Sequence, residues 1–327
     1  MRAGCTAGCQ ASCERALSLG TGKTGGDTAI LSESEVSMSR IAYVNGRYLP
    51  QADAAVHIED RGYQFADGVY EVVAVQAGRL VDEVLHLARL DRSLAELRIA
   101  APMSRPALAI VLREVIRRNR VCDGIVYLQA TRGVAPRDHP FPADTRPSLV
   151  VTARRVRVAN PKALDEGIGV ITIPDIRWAR CDIKSIALLP NVLGKQQARE
   201  AGAYEAWQVD RDGMVTEGTS TNAWIVTAAG ELVTRQASSA ILNGCTRVAL
   251  LDIAKRTGLN FTERPFSVIE AKAAREAFLT STTSPVLPIV RIDEAVIGDG
   301  RPGPLGRKLR ALYSVHSDEQ AARPDIA

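Results

Sequence analysis

The residues that could carry chemistry in this chain centre on Lys184, within the segment 180–185 (RCDIKS). Only 7 of the 41 basic residues are lysines, so the chain uses arginine wherever a fixed positive charge is enough. An arginine stays protonated in proteins, whereas a lysine among apolar side chains can lose its proton and attack a carbonyl carbon. Ile183 and Ile186 would supply such surroundings, as would Leu188 and Leu189. The alternative is an exposed lysine beside an aspartate, since exposure is the norm for this residue type.

Three further segments carry groups that could bind an anionic ligand close to such an amine. Residues 244–246 precede a predicted helix, and the free N–H groups and dipole of a helix N-terminus favour a phosphate. Residues 281–284 (STTS) supply hydroxyl donors, and Arg89 could add a bidentate positive charge. Glu217, at a predicted strand end, could face a ring nitrogen. Amine, phosphate cradle and carboxylate are what pyridoxal phosphate requires of a protein, although each group alone is more often a turn, a cap or a solvated strand end.

Length and composition set the expected class of protein. A chain of 327 residues exceeds what one hydrophobic core usually serves, so two domains are expected. Its 46% hydrophobic and 24% charged residues are typical of a soluble globular protein, and no run of about 18 apolar residues predicts a membrane span. A net charge of +4, without a basic block interleaved with aromatics, gives no support to nucleic-acid binding. We therefore expect a cytoplasmic protein with small-molecule partners, no nucleic acid and no membrane.

Residues 1–37 differ in composition from the rest of the chain. They are rich in Gly, Ser, Thr and Cys and predict a disordered leader or a misassigned start, without the continuous apolar segment of a secretory signal. Cys5, Cys9 and Cys13 could share a helix face, but no fourth ligand lies nearby, so we expect no metal site. Residues 20–24 (GTGKT) resemble half of a P-loop without its first glycine or a preceding strand, which favours a flexible segment.

Hairpins and helices without regular strand-helix alternation predict an N-terminal α+β domain over residues 38–153. Asn45-Gly46 is the strongest short-range signal of a hairpin. The predicted strands are 41–44, 47–49, 69–75, 125–131 and 149–153, and the predicted helices lie around 87–97 and 104–116.

A change of composition and a proline mark residues 154–166 as the predicted interdomain linker. A second α+β domain is expected over 167–315, followed by a tail over 316–327. Its predicted strands are 169–173, 203–209, 214–217, 222–226 and 276–280. One predicted helix lies near 195–201, and a second follows residues 243–246 and runs to about 257.

Six segments, taken in order, resemble one known family. They are residues 59–71 (EDRGYQFADGVYE), 131–133 (TRG), 137–142 (RDHPFP), 177–185 (RWARCDIKS), 215–218 (VTEG) and 280–284 (TSTTS). From about Met38 to Tyr313 the chain is similar to the fold-type IV aminotransferases that depend on pyridoxal 5'-phosphate, and most of all to bacterial D-amino acid aminotransferases. The resemblance implies a two-domain α+β fold.

The resemblance also implies a role for each of the residues singled out above. Lys184 would form a Schiff base with the cofactor and shuttle protons, and Glu217 would hold the pyridine nitrogen protonated. Leu242 would pack on the ring face. The phosphate would be bound by Arg89, Thr246, Ser281 and Thr282, helped by the backbone at Cys245.

On the substrate side, the resemblance implies that Tyr70, Arg137 and His139 hold the α-carboxylate, with Arg137 and His139 coming from the partner subunit of a homodimer. The implied reaction exchanges an amino group between a D-amino acid such as D-alanine and a 2-oxo acid such as 2-oxoglutarate. The alternatives are a branched-chain L-aminotransferase, an R-selective amine transaminase or an aminodeoxychorismate lyase, and residues 137–139 (RDH) favour the D-amino acid group. A protein that only retains a phosphorylated ligand would need neither Lys184 nor Glu217.

Overall fold

The computed structural model of the chain describes residues 40–156 and 160–322. The predictions for the leader and its cysteines lie outside these residues, as do 157–159 of the predicted linker and 323–327 of the predicted tail. Among the described residues, no helix combines the length and the apolar character that a membrane crossing requires.

The first sheet has six antiparallel strands in the order β2-β1-β6-β5-β3-β4. They are β1 (Ile41–Val44), β2 (Arg47–Pro50), β3 (Gly68–Gln76), β4 (Arg79–Leu80), β5 (Gly124–Thr131) and β6 (Ser148–Arg155). The predicted β1–β2 hairpin is confirmed, and Asn45 and Gly46 have φ angles of 45° and 93°. A two-residue turn of this kind requires positive φ at both positions, which Asn and Gly tolerate best.

Within residues 40–156, three α-helices accompany this sheet: α1 (Arg61–Phe65), α2 (Glu83–Glu96) and α3 (Arg105–Arg118). Leu87, Leu90 and Leu94 recur at helical spacing on α2 and are buried in one core with alternating valines of β3. The α3 helix begins at Ser104, whose hydroxyl accepts a hydrogen bond from the Ala107 N–H. This core also buries Ile183, the residue before Lys184.

The second sheet has nine strands and mixes parallel with antiparallel pairs. The order is β12-β11-β10-β13-β14-β7-β8-β9, with β15 paired to β14, and the parallel pairs are β7–β8, β7–β14 and β11–β12. The strands are β7 (Ile168–Pro174), β8 (Glu205–Val209), β9 (Val215–Gly218), β10 (Asn222–Val226), β11 (Leu232–Thr234), β12 (Phe261–Glu263), β13 (Glu276–Thr280), β14 (Leu287–Ile292) and β15 (Ala295–Val296).

Both faces of the second sheet are buried. Ile225 and Leu279 lie in one core, while their chain neighbours Trp224 and Phe278 lie in the other, as the two-residue period of a strand requires. The remaining helices are α4 (Pro161–Glu166), α5 (Leu189–Glu200), α6 (Cys245–Arg256), α7 (Val268–Lys272) and α8 (Pro304–Ala322). Helices α6 and α8 supply Leu250 and Leu309 to the second of these cores.

The α+β class is confirmed, whereas the division into two domains stays a prediction. The last helix, α8, has no counterpart among the predicted elements and includes residues 316–322 of the predicted tail. Tyr313 and His316 on α8 bond to the carboxylate of Asp82, just before α2, at 3.0 and 2.7 Å. The C-terminal helix therefore connects the second sheet to the helix layer of the first. The predicted linker contains α4 and the last residues of β6.

Candidate active site

A cavity of about 310 Å³ lies where the two halves of the chain meet. Cavities of this size suit a small organic ligand. The first sheet contributes Tyr70 and α2 contributes Arg89. The second half contributes strand ends, the loop 177–188 and the N-terminus of α6. The predicted site residues that line the cavity are Tyr70, Arg89, Lys184, Glu217, Leu242, Cys245, Thr246, Ser281 and Thr282.

The backbone of Lys184 is fixed by bonds to the first half of the chain. Its carbonyl accepts from the N–H of Tyr70 at 3.0 Å, and its own N–H donates to the hydroxyl of Ser93 at 3.2 Å. Burial of Ile183 anchors the preceding residue in the first core. The ammonium group then lies 4.1 Å from the centre of the Tyr70 ring, inside the cavity.

Asp182, the neighbour that an exposed Lys184 would have paired with, is engaged elsewhere. Its carboxylate forms ion pairs with Arg92 and Arg180, and these arginines hold its pKa below the ordinary value. The lysine side chain is therefore free to point into the cavity, and the exposed-lysine alternative is not what the fold adopts.

Glu217 lies at the end of β9 with its side chain buried. One carboxylate oxygen meets the guanidinium of Arg177, and the other accepts from the Asn222 amide at 3.0 Å. The N–H of Leu242 lies 3.1 Å from both oxygens. Burial raises the pKa of Glu217 to about 7, against the opposing effects of Arg177, the Leu242 N–H and Lys184. In its ionised form this buried carboxylate can accept a charge-assisted hydrogen bond from a protonated ring nitrogen.

Arg89 is fixed by a buried carboxylate. Its Nε and Nη2 atoms donate to the two oxygens of Glu71, both at 2.8 Å, and Nη1 donates to the Asn243 carbonyl at 3.2 Å. His86 Nδ1 lies 2.7 Å from the same carboxylate. This bidentate pair holds the guanidinium at the edge of the cavity, next to Asn243.

Beside Arg89, the cavity wall is built from backbone donors and hydroxyls. Helix α6 begins after Gly244. Because glycine has no side chain that could cap the helix, the first N–H groups of α6 are available to a ligand. A Cβ atom on Gly244 would lie 2.2 Å from Oδ1 of Asn222, which explains the glycine. The turn that follows β13 carries the hydroxyls of Ser281 and Thr282 to the same cavity, and the Ser284 N–H donates to the Ser281 hydroxyl at 3.1 Å.

Arg137 and His139 do not line the cavity of this single chain. Both are exposed and lie around the ring of Phe65 on α1, with the Arg137 guanidinium 4.6 Å and the His139 ring 5.4 Å from its centre. Arg61 holds their loop by donating to the carbonyls of Asp138 and His139 at 2.6 and 3.3 Å. The loop is thus an ordered surface feature, and its role as a carboxylate trap stays a prediction.

Sequence reasoning gave no role to several polar residues of the cavity. Arg177 stands in a segment quoted for the family resemblance, but nothing local indicates that it meets Glu217, 40 residues further along. A buried carboxylate, Glu205, accepts hydrogen bonds from the hydroxyls that follow Glu217. These hydroxyls belong to Thr219, Ser220 and Thr221. The run of hydroxyl residues after the predicted strand 214–217 is the sequence feature that could have indicated these contacts.

Acid should reveal how much the Glu71 ion pair stabilises the fold. Burial alone would raise its pKa, but Arg89 and His86 lower it from 4.5 to about 2. Since the folded-state value is depressed, the stabilisation is present above pH 4.5 and is lost as pH falls towards 2, about 3 kcal/mol in all. In urea unfolding between pH 6 and 3, Glu71→Gln should therefore lose less stability with acid than the wild type does.

A matched control is Glu114, on the exposed surface of α3. Arg117 and Arg118 lower its pKa as well, to about 2, but solvent screens exposed pairs. Glu114→Gln should follow the wild-type curve. If Glu71→Gln and the wild type lose stability in parallel, the ion pair does not contribute as proposed.

The donor set of the cavity fits pyridoxal phosphate. A dianionic phosphate needs several N–H and O–H donors and a positive charge, and the α6 N-terminus, the two hydroxyls and Arg89 provide them. The basic ring nitrogen of the cofactor needs a carboxylate, which Glu217 provides, and its aldehyde needs an amine, which Lys184 provides. Both residues line the same cavity. The residues present therefore match both ends of the cofactor.

Known proteins are similar to this chain over most of its length. The chain is 45% identical to the D-alanine aminotransferase of Bacillus licheniformis over 267 residues, which cover 81% of this chain and 93% of that protein. It is 37% identical to the D-alanine aminotransferase of Staphylococcus haemolyticus over 280 residues, 86% and 99% of the two chains.

Among solved structures, the branched-chain amino acid aminotransferase of T.th. with pyridoxamine 5'-phosphate superposes with a TM-score of 0.79 at 25% identity. The match covers 88% of this chain and 96% of that one. The sequence model of the family described as amino-transferase class IV matches residues 68–292, from the first residue of β3 to the last of β14. With the cavity and these relatives in agreement, the chain belongs to the class IV aminotransferases.

Proposed function

We propose that this protein is a D-amino acid transaminase, which moves an amino group between a D-amino acid such as D-alanine and a 2-oxo acid such as 2-oxoglutarate with pyridoxal 5'-phosphate. The observation that carries the chemistry is one cavity in which Lys184, Glu217 and the uncapped N-terminus of α6 meet. The choice of substrate is supported by the relatives at 45% and 37% identity, which are D-alanine aminotransferases.

In this proposal each residue acts at a stated atom. When bound, the cofactor supplies a carbonyl for an amine to attack and a ring that accepts electrons released at the substrate's α-carbon. The Lys184 amine would hold the cofactor covalently and would afterwards move the α-proton. Glu217 would keep a proton on the ring nitrogen, and Leu242 would pack on the ring face. Arg89, Thr246, Ser281, Thr282 and the Cys245 N–H take the phosphate.

We further propose that the protein works as a homodimer whose two sites are composite. Arg137 and His139 are exposed in the single chain, and Phe65 and Arg61 hold their loop in a defined shape. A second subunit that brings this loop to the cavity would place a guanidinium opposite Tyr70, where a substrate carboxylate would lie. A cytoplasmic location is part of the same proposal.

A coupled assay tests the reaction. Purified protein loaded with cofactor is mixed with D-alanine and 2-oxoglutarate, and pyruvate is measured, with L-alanine as the control. We expect pyruvate from D-alanine only. Activity with L-leucine and none with D-alanine would instead support a branched-chain L-aminotransferase, the kind of enzyme among the structural neighbours.

Arg137→Ala should weaken substrate use without disturbing the cofactor. A charge-assisted bond to a carboxylate contributes about 1.5 to 3 kcal/mol, so kcat/KM for D-alanine should fall roughly tenfold or more. The absorbance of the bound cofactor should not change, because the phosphate-binding groups are separate. The matched control is Arg118→Ala, an arginine that also lies over a ring, 4.3 Å from the centre of Tyr48, but away from the cavity. An unchanged kcat/KM in Arg137→Ala would contradict the carboxylate role.

Co-expression of two variants tests whether the loop acts across the subunit interface. A heterodimer of an Arg137→Ala chain and a Lys184→Ala chain contains one intact site if Arg137 serves the partner subunit. Its kcat/KM should then be about half that of the wild type, since one of two sites works. If each subunit uses its own Arg137, the best site in the heterodimer keeps only the Arg137→Ala level, and the composite site is wrong.

A further inference from the structure

Arg177 meets Glu217 inside the cavity, and both side chains are almost fully withdrawn from solvent, with 5% and 8% of their area exposed. The guanidinium takes one carboxylate oxygen, which leaves the other to the amide of Asn222. The Leu242 N–H spans the two oxygens. These three donors all favour the ionised form of the carboxylate, and of the three only Arg177 carries a charge.

A second anion fixes the position of Arg177. Asp175, just after β7, accepts from Nε and Nη2 of Arg177 at 2.9 and 2.7 Å. Nη2 also donates to the Thr216 hydroxyl and to the Ala240 carbonyl, both at 3.1 Å. Thr216 in turn donates to Asp175 at 2.8 Å, so the arrangement is closed. With its planar group held on several sides, the arginine has one orientation towards Glu217.

Arg177 and Lys184, the cations near Glu217, differ in how constant their charge is. Within the described part of the chain, the charged and titratable groups that face this carboxylate are Arg177, Lys184 and Cys181, with Asp175 behind Arg177. An amine that binds a cofactor and moves protons changes its charge during a reaction, whereas a guanidinium is not deprotonated in proteins. Arg177 is therefore the constant compensation for a buried negative charge, which is costly when it is unpaired.

We propose that Arg177 is a positioning residue that keeps Glu217 ionised and in a single orientation, so that the carboxylate faces the ring nitrogen as an acceptor throughout the reaction. The inference rests on the proposed function only in naming that ring. Asp175 then sets how strongly Arg177 stabilises the ionised form of Glu217, because the two carboxylates share one guanidinium.

Titration of the Glu217 carboxyl tests the proposal directly. Full-length protein with ¹³C-labelled glutamate carboxyls is titrated by NMR, with cofactor and without it, and Glu217→Gln identifies the resonance. In Arg177→Gln the pKa of Glu217 should rise by about 1 to 3 pH units, the effect of losing a close opposite charge. Arg177→Lys should restore part of the difference. The control is Arg180→Gln in the same loop, whose partners are Glu96 and Asp182.

Asp175→Asn gives a second test with the opposite sign and covers the case in which Arg177→Gln does not fold. With the competing carboxylate neutralised, Arg177 acts on Glu217 alone, and the pKa of Glu217 should fall below its wild-type value. General loosening of the site would not move the two variants in opposite directions. Equal pKa values in wild type, Arg177→Gln and Asp175→Asn would overturn the proposal, as would a rise in Asp175→Asn. These titrations need no substrate, so they stand apart from a failure of the D-alanine assay.

Discussion

Replacement of Lys184 by alanine should give a folded protein that binds pyridoxal phosphate but no longer transfers amino groups. The backbone bonds of this residue to Tyr70 and Ser93 do not involve its side chain, so the loop should keep its course. The cation and donors around the phosphate remain as well. What disappears is the amine that is proposed to bind the cofactor covalently and to move the proton. A positioned proton-transfer group alone contributes about 10² to 10⁴-fold, and kcat should fall by at least that much.

Borohydride reduction followed by peptide mapping locates the covalent bond. In the wild type the cofactor should be found on the peptide that contains Lys184, and Lys184→Ala should carry no label. Lys195→Ala is the matched control, because that amine donates to the Tyr204 carbonyl at 2.6 Å and does not line the cavity. Label on Lys195 or on the exposed Lys162 of α4 would contradict the assignment.

Local patterns predicted the elements whose signals are local. The Asn45-Gly46 turn and the helices predicted around 87–97 and 104–116 all depend on residues a few positions apart, and each prediction is confirmed. Helix α8 is different, because contacts that fix it come from residues distant in sequence. Tyr313 reaches Asp82 across 231 residues of sequence. A pattern of neighbouring residues cannot indicate a contact over that distance in the sequence.

The same distinction separates the predicted from the missed residues of the site. Lys184 and Glu217 could be chosen for their chemistry and their family resemblance, but the sequence left an exposed Lys184 open. The fold decides that question through Ile183 in the first core and through Ser93, which lies 91 residues away. Arg177 was missed because it meets its partner Glu217 only in the folded sheet, where β8 pairs with both β7 and β9. The chemistry available to these side chains could be predicted from their residue types, whereas the partners that surround them could be found only from the tertiary structure.

Glu217→Gln should keep the cofactor and lose most of the turnover. The change conserves shape, and the new amide oxygen can still accept from the Leu242 N–H, now 3.1 Å from the carboxylate. Arg177 would lose one partner but retain its bidentate pair with Asp175, so the fold should survive. The neutral amide, however, cannot stabilise a proton on the ring nitrogen. Loss of one preorganised group of this kind costs about 10² to 10³-fold in kcat.

The measurements are kcat and KM for D-alanine and the cofactor content from absorbance. We expect kcat to fall with little change in KM, because Glu217 is proposed to face the ring nitrogen and is not among the groups proposed to hold the substrate carboxylate. Glu276→Gln is the control for loss of a buried glutamate, since that carboxylate accepts from the N–H groups of Leu305 and Gly306 at the start of α8. It should lower stability and leave kcat near the wild-type value. If Glu217→Gln turned over D-alanine as fast as the wild type, the electrons released at the α-carbon would not need a protonated ring, and the role of this carboxylate would have to be abandoned.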